Sequence, residues 1–74
     1  MEDSAYLIKL GQKIVNLRTE KGLRQVDLSD LIGIEDSALR RIEKGKVNSS
    51  INMLRKIAKA LNTPIEQLVS VESD

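Results

Sequence analysis

A chain of 74 residues has room for one small domain, which buries roughly 60% of the surface its unfolded form exposes. The absence of cysteine, histidine and tryptophan excludes disulfides, redox dithiols, the usual zinc sites and imidazole catalysis. With Tyr6 as the single aromatic, platforms for stacking single-stranded bases are not expected. A formal net charge of +1 implies only modest non-specific attraction for polyanions, and no apolar run approaches the ~20 residues that span a bilayer.

The first element is a helix of about four turns, since Leu7, Leu10, Ile14 and Leu17 recur at three- and four-residue steps. Asp3 or Ser4 serves as its cap, and Lys21-Gly22 closes it with a left-handed stop. A second, short helix opens at Gln25 and holds Leu28, Leu31 and Ile32 on its inner face until Gly33. The third holds Leu39 and Ile42 until Gly45, and a side chain at either glycine would strain its turn. Ser50 caps a fourth helix that carries Ile51, Leu54, Ile57, Ala58 and Leu61 inward. Thr63-Pro64-Ile65-Glu66 combines a capping box with proline at the first helical position, which starts a fifth helix bearing Ile65, Leu68 and Val69. Nothing alternates as a strand does, so the expected fold is all-α. Five helices form one folding unit over residues 1–74, with its core in 5–69.

Residues 25–44 are the informative window: an amphipathic helix, a glycine turn, and a second helix with arginines on its outer face. Two helices joined so tightly cross steeply, and the second then stands proud of the domain and can enter a DNA major groove. The charges are distributed to match. Lys9, Lys13, Arg18 and Lys21 oppose only Glu20 in the first helix, and Arg55, Lys56 and Lys59 have no acid near them in the fourth. Glu2, Asp3, Glu66, Glu72 and Asp74 occupy the two ends. The middle is basic and the ends are acidic, although such lysines commonly do no more than solvate helix faces.

The ordered set Leu10, Ile14, Leu17-Arg18, Lys21-Gly22-Leu23, Gln25, Gly33, Ile42-Glu43-Lys44-Gly45-Lys46 and Ile57-Ala58-Lys59-Ala60-Leu61 resembles the Xre family of helix-turn-helix proteins, with the lambdoid phage repressor and Cro-like fold. The likeness covers residues 7–69. It implies a five-helix DNA-binding domain in which helices 2 and 3 form the helix-turn-helix, and a stand-alone bacterial or phage transcriptional regulator. It also implies that Arg18 and Glu43 form an ion pair buried between helix 1 and the end of helix 3, a matter of architecture rather than recognition. Gln25 matches the family glutamine that holds a backbone phosphate. Ser29 stands where relatives usually have alanine packed against helix 3, and Ser49 where proline is common before helix 4.

With Leu39 and Ile42 facing the core, Asp36, Ser37, Arg40, Arg41 and Lys44 point outward and are the candidate base-reading residues. Arg40 and Arg41 lead this set, because a guanidinium can give two hydrogen bonds to guanine O6 and N7. Phosphate contacts are expected from Arg24 and Gln25 on one side and from Lys46, Asn48, Ser49 and Ser50 on the other, with simple capping the competing role for Ser50 and solvation for Lys46. The adjacent acids Glu35 and Asp36 suit a helix N-terminus and can replace a missing serine or threonine cap, yet they face phosphates. Three outcomes stay open: a carboxylate accepts from cytosine N4, or Asp36 pairs with Arg40 and steadies it, or the acids repel DNA and the motif serves a protein partner.

One such domain makes few base contacts, so a homodimer on a near-palindromic duplex site is expected. Ile65, Leu68, Val69 and Val71 exceed what a short last helix needs for inward packing and would form the interface, with Met53 beside them; the competing role is completion of a monomer's core. No cofactor, metal, membrane or small-molecule ligand is expected, and a cytoplasmic location follows by default. Catalysis is not expected either, since Asp27/Asp30 and Glu35/Asp36 sit on short exposed helices without an evident cleft.

Overall fold

The computed structural model describes residues 3–71. Five helices follow one another: α1 (Asp3–Glu20), α2 (Gln25–Ile32), α3 (Asp36–Glu43), α4 (Ile51–Ala60) and α5 (Ile65–Val69), with no strand among the described residues. The all-α expectation holds. Glu2, Glu72 and Asp74, which carry part of the acidic charge assigned to the two ends, lie outside the described residues. Asp3 and Ser4, the expected caps, both fall within α1.

The core forms where the helical spacing places it. Leu10 and Ile14 of α1, Leu28 and Ile32 of α2, Leu39 and Ile42 of α3, Leu54, Ile57 and Ala58 of α4, then Leu61 and Leu68 make one buried aliphatic cluster. Around it α1 packs on α3 and α5, α2 on α3 and α4, and α4 on α5. Tyr6 and Leu17 cover its flank, and the Tyr6 hydroxyl donates to the Val69 carbonyl at 2.5 Å, tying the first helix to the last. No described helix is long and apolar enough to cross a membrane.

Two residues expected in the core are outside it: Leu31 is 61% exposed and Ile51 62% exposed. In α2 the buried arc runs through Leu28, Ile32 and Ser29. At about 100° per residue Leu31 falls on the far side of Leu28 from Ser29 and so points to solvent. Ile51 is the first residue of α4, and side chains lean toward a helix N-terminus, which carries this one past the end of the core.

The turns rest on backbone conformation. Gly33 closes α2 at φ 76°, with its N–H donating to the Ser29 carbonyl at 2.8 Å, and Ile34 N–H reaches the same carbonyl at 3.0 Å. A β-carbon there would meet no neighbour, so glycine is required for its torsion alone. Gly45 is constrained twice, by φ +74° and because a β-carbon would lie 2.6 Å from the Ile8 Cα. Asn62, at φ 54°, makes the corresponding left-handed turn after α4, a role its short polar side chain tolerates. At α5 the expected capping box does not form. Pro64 is the N-cap rather than the first helical residue, with ψ 141°, and the Thr63 hydroxyl bonds back to the Leu61 carbonyl at 3.1 Å.

Candidate nucleic-acid interface

The presenting helix is anchored from beneath. Leu39 is fully buried and Ile42 nearly so, and with α3 held through that face Ser37, Ala38, Arg40, Arg41 and Lys44 are exposed. Neither Arg40, Arg41 nor Lys44 makes an ion pair or side-chain hydrogen bond among the described residues, so three cations stand exposed on the outer face of α3 with their donors available. Ala38 was not among the expected contacts. Its methyl group lies in the same outward set, and the signal was there in the spacing, since residue 38 precedes the buried Leu39 on a helix with one apolar stripe.

Beneath α3 lies a charged cluster. Arg18 Nε donates to Glu43 Oε2 at 2.8 Å and Arg18 Nη2 to Glu43 Oε1 at 3.3 Å, with side-chain exposures of 12% and 4%. A third guanidinium nitrogen, Nη1, donates to the Leu23 carbonyl at 3.0 Å, so the same arginine fastens the loop leading into α2. Gln25 Nε2 donates to Glu43 Oε1 at 2.7 Å. The glutamine expected at a phosphate is thus bound on one side to the ion pair, with its second amide hydrogen and its carbonyl still available. α1, α2 and α3 meet at this one carboxylate.

At the start of α2, Asp27 reaches back to the Arg24 N–H at 2.7 Å and takes the Arg24 guanidinium as a fork, Nε at 3.1 Å and Nη2 at 2.9 Å. The side-chain hydrogen bonds from Arg24, then its backbone N–H, hold the Asp27 carboxyl below the usual carboxylate range, while the same pairing raises the Arg24 guanidinium. A carboxylate with a depressed folded-state pKa stabilises the fold above its unfolded value and stops doing so as pH falls through the folded one. Asp27→Asn is therefore expected to melt below the parent at neutral pH and level with it in acid. Melting curves on both proteins across that range check this.

The acidic start of α3 forms neither the side-chain cap nor the Asp36–Arg40 pair expected within the helix. Glu35 is the N-cap through its backbone only, its carbonyl accepting from Ala38 and Leu39, and its side chain caps nothing. Asp36 does not pair with Arg40. Its Oδ1 accepts a hydrogen bond from the hydroxyl of Ser29, which is fully buried in α2. The buried serine has no water to bond, and the carboxylate across the turn is a stronger acceptor than the Val26 carbonyl at 3.1 Å, which α2 already uses.

On the other flank Lys46 and Asn48 are exposed, Ser49 is half-buried, and the Ser50 hydroxyl accepts from Met53 N–H at 3.1 Å as the N-cap of α4. At the far end Leu68 is fully buried in the monomer core and cannot face a partner, which corrects the expected interface; Ile65, Val69 and Val71 remain half-buried there. The reason is local: α5 has barely more than one turn, and its one fully buried position falls on Leu68, with Ile65 and Val69 packed against the core beside it. Among the described residues no group of acids could hold a metal ion.

Two short helices joined by a glycine turn, the second held through a buried apolar stripe and presenting on its other face cations unpaired among the described residues, define a helix-turn-helix DNA-binding protein. The chain belongs to the helix-turn-helix family HTH_3, the Xre type, whose profile matches residues 14–68. It is 33% identical over 64 residues to the immunity repressor protein of Bacillus phage phi105, covering 86% of this chain and 44% of that one. An uncharacterized HTH-type transcriptional regulator of Archaeoglobus fulgidus is 34% identical over 56 residues, 76% of this chain and 80% of its own. The crystal structure of the restriction-modification controller protein C.AhdI from Aeromonas hydrophila superposes with a TM-score of 0.81 at 39% identity, over 84% of this chain and 94% of that chain. The chain spans less than half the length of the phage repressor. The relatives it matches are helix-turn-helix regulators and repressors rather than enzymes.

Proposed function

We propose that this protein is a repressor or autoregulatory controller that occupies a near-palindromic operator as a homodimer, with α3 in the major groove. The observation that carries the reading is the outer face of α3, where Arg40, Arg41 and Lys44 are exposed and, among the described residues, unpaired above the buried Leu39 and Ile42. Arg40 and Arg41 read guanine, and Asp36, Ser37 and Lys44 complete the base contacts. Arg24, Gln25, Lys46, Asn48, Ser49 and Ser50 hold phosphates on the two flanks, Arg24 by sharing its guanidinium with Asp27. Dimerisation uses the half-buried Ile65, Val69 and Val71. The resemblance to a phage immunity repressor and to a restriction-modification controller supports this class of regulator.

Selection of bound duplexes from a random library gives the operator, and sedimentation with and without that duplex gives the stoichiometry. Arg41→Ala is expected to change which sequence is preferred. Lys46→Ala is expected to weaken all sequences alike and to flatten the dependence of log affinity on log salt by about one. Identical preferences in both variants would overturn the assignment of roles. No binding to any duplex at low salt would overturn the function.

A further inference from the structure

Resting on the reading of α3 as the base-reading helix, we propose that Ser29 is a positioning residue for base selection, which holds the Asp36 carboxylate across the turn and thereby keeps it from Arg40. Ser29 lies one turn from the end of α2 and is fully buried, and Asp36 is the first residue of α3. Its hydroxyl carries one proton, and the anionic Oδ1 of Asp36 takes it in preference to the neutral Val26 carbonyl. Together with the Gln25 to Glu43 bond at the other end, this clamps α3 to α2 by both its first and its last residue.

The consequence concerns two bases. Asp36 and Arg40 are four residues apart, the spacing at which an acid and a base on one helix pair readily. An unheld Asp36 would swing onto Arg40 and take up the donors that Arg40 needs for guanine. Held by Ser29, Asp36 instead keeps one oxygen as a fixed acceptor at the start of the helix. An ionised carboxylate can only accept, and in the major groove only cytosine N4 and adenine N6 donate, whereas guanine and thymine present acceptors there. The pair therefore selects a base bearing an amino group, cytosine foremost, next to the guanine read by Arg40, and the selectivity depends on a residue that never touches DNA.

The test is a double-variant comparison of operator preferences by duplex selection, on Ser29→Ala, Asp36→Ala and both together, with thermal melts alongside. Asp36→Ala is expected to lower the preference for cytosine at one position per half-site by about tenfold. Ser29→Ala is expected to relax the same position and, through Arg40, the neighbouring guanine, with a melting temperature close to that of the parent because Asp36 is exposed and water replaces the serine. In the double variant the guanine preference returns, since Arg40 no longer has a carboxylate to pair with. A general packing role for Ser29 would instead lower binding to all sequences and would not be reversed by removing Asp36. If Ser29→Ala keeps the parent's base preferences while the parent binds its operator selectively, the inference fails and the regulator reading stands; if the parent selects no sequence, the reading itself fails.

Discussion

Arg18→Ala is expected to unfold this domain rather than to weaken its DNA binding. The substitution removes both hydrogen bonds to Glu43 and the bond to the Leu23 carbonyl, and leaves a carboxylate that is 4% exposed with Gln25 as its remaining partner. Stranding one member of a buried pair costs about 3–5 kcal/mol, whereas a chain of this size has about 4–11 kcal/mol in total at 0.05–0.15 per residue. Helical circular dichroism at 37 °C should be largely lost. Arg18→Lys is expected to recover little, because one ammonium cannot reach both carboxylate oxygens and the loop carbonyl at once. Replacing both partners, as Arg18→Met with Glu43→Leu, should restore much of the stability, since the intact pair adds little over apolar groups of similar volume. An Arg18→Ala protein that melts within about 1 kcal/mol of the parent would refute the account.

The cooperation of three helices at Glu43 also marks the limit of what the amino-acid sequence discloses. The apolar stripes of α1, α3 and α4 are regular, and residues such as Ile14, Leu39 and Ile57, at helical steps from their neighbours, are buried as their spacing predicts. Where an element is too short to define a stripe, the pattern fails. Over the eight residues of α2, Leu28, Leu31 and Ile32 fit one face equally well, and the choice between Leu31 and Ser29 was made by the positions of α3 and α4, on both of which α2 packs. In α5 the same brevity concealed that Leu68 faces inward. The outer face of α3 was legible because it is the complement of a stripe. The pairing of Asp36 was not, because local spacing favours Arg40, four residues on, and the partner that takes it is across a turn. Arg18 and Glu43 were legible only through family likeness; residues 25 apart give no local sign of a contact.

Gly11 gave no signal at all, and its substitution is the more discriminating test of how α3 is seated. In the interior of an exposed helix, glycine to alanine stabilises by about 1 kcal/mol, so propensity alone predicts that Gly11→Ala raises the melting temperature. The geometry predicts the reverse. Gly11 is buried at the crossing of α1 with the end of α3, where a β-carbon would collide with the Glu43 carbonyl oxygen and lie 2.7 Å from both the Glu43 carbonyl carbon and the Ile42 oxygen. These are backbone atoms with no rotamer to change, so the helices must separate. Overfilling of this kind costs about 1–3 kcal/mol, and here the displaced residue is the one that holds Arg18 and Gln25. Each 1 kcal/mol lost lowers the melting temperature of so small a domain by about 4–8 °C. In the molecules that remain folded, α3 sits away from α1, so operator affinity is expected to fall by more than the unfolded fraction explains, with amide shifts concentrated between Ile42 and Gly45. A Gly11→Ala protein that melts higher than the parent and binds DNA as well would show that α1 and α3 do not approach this closely, and the seat of α3 would have to be redrawn.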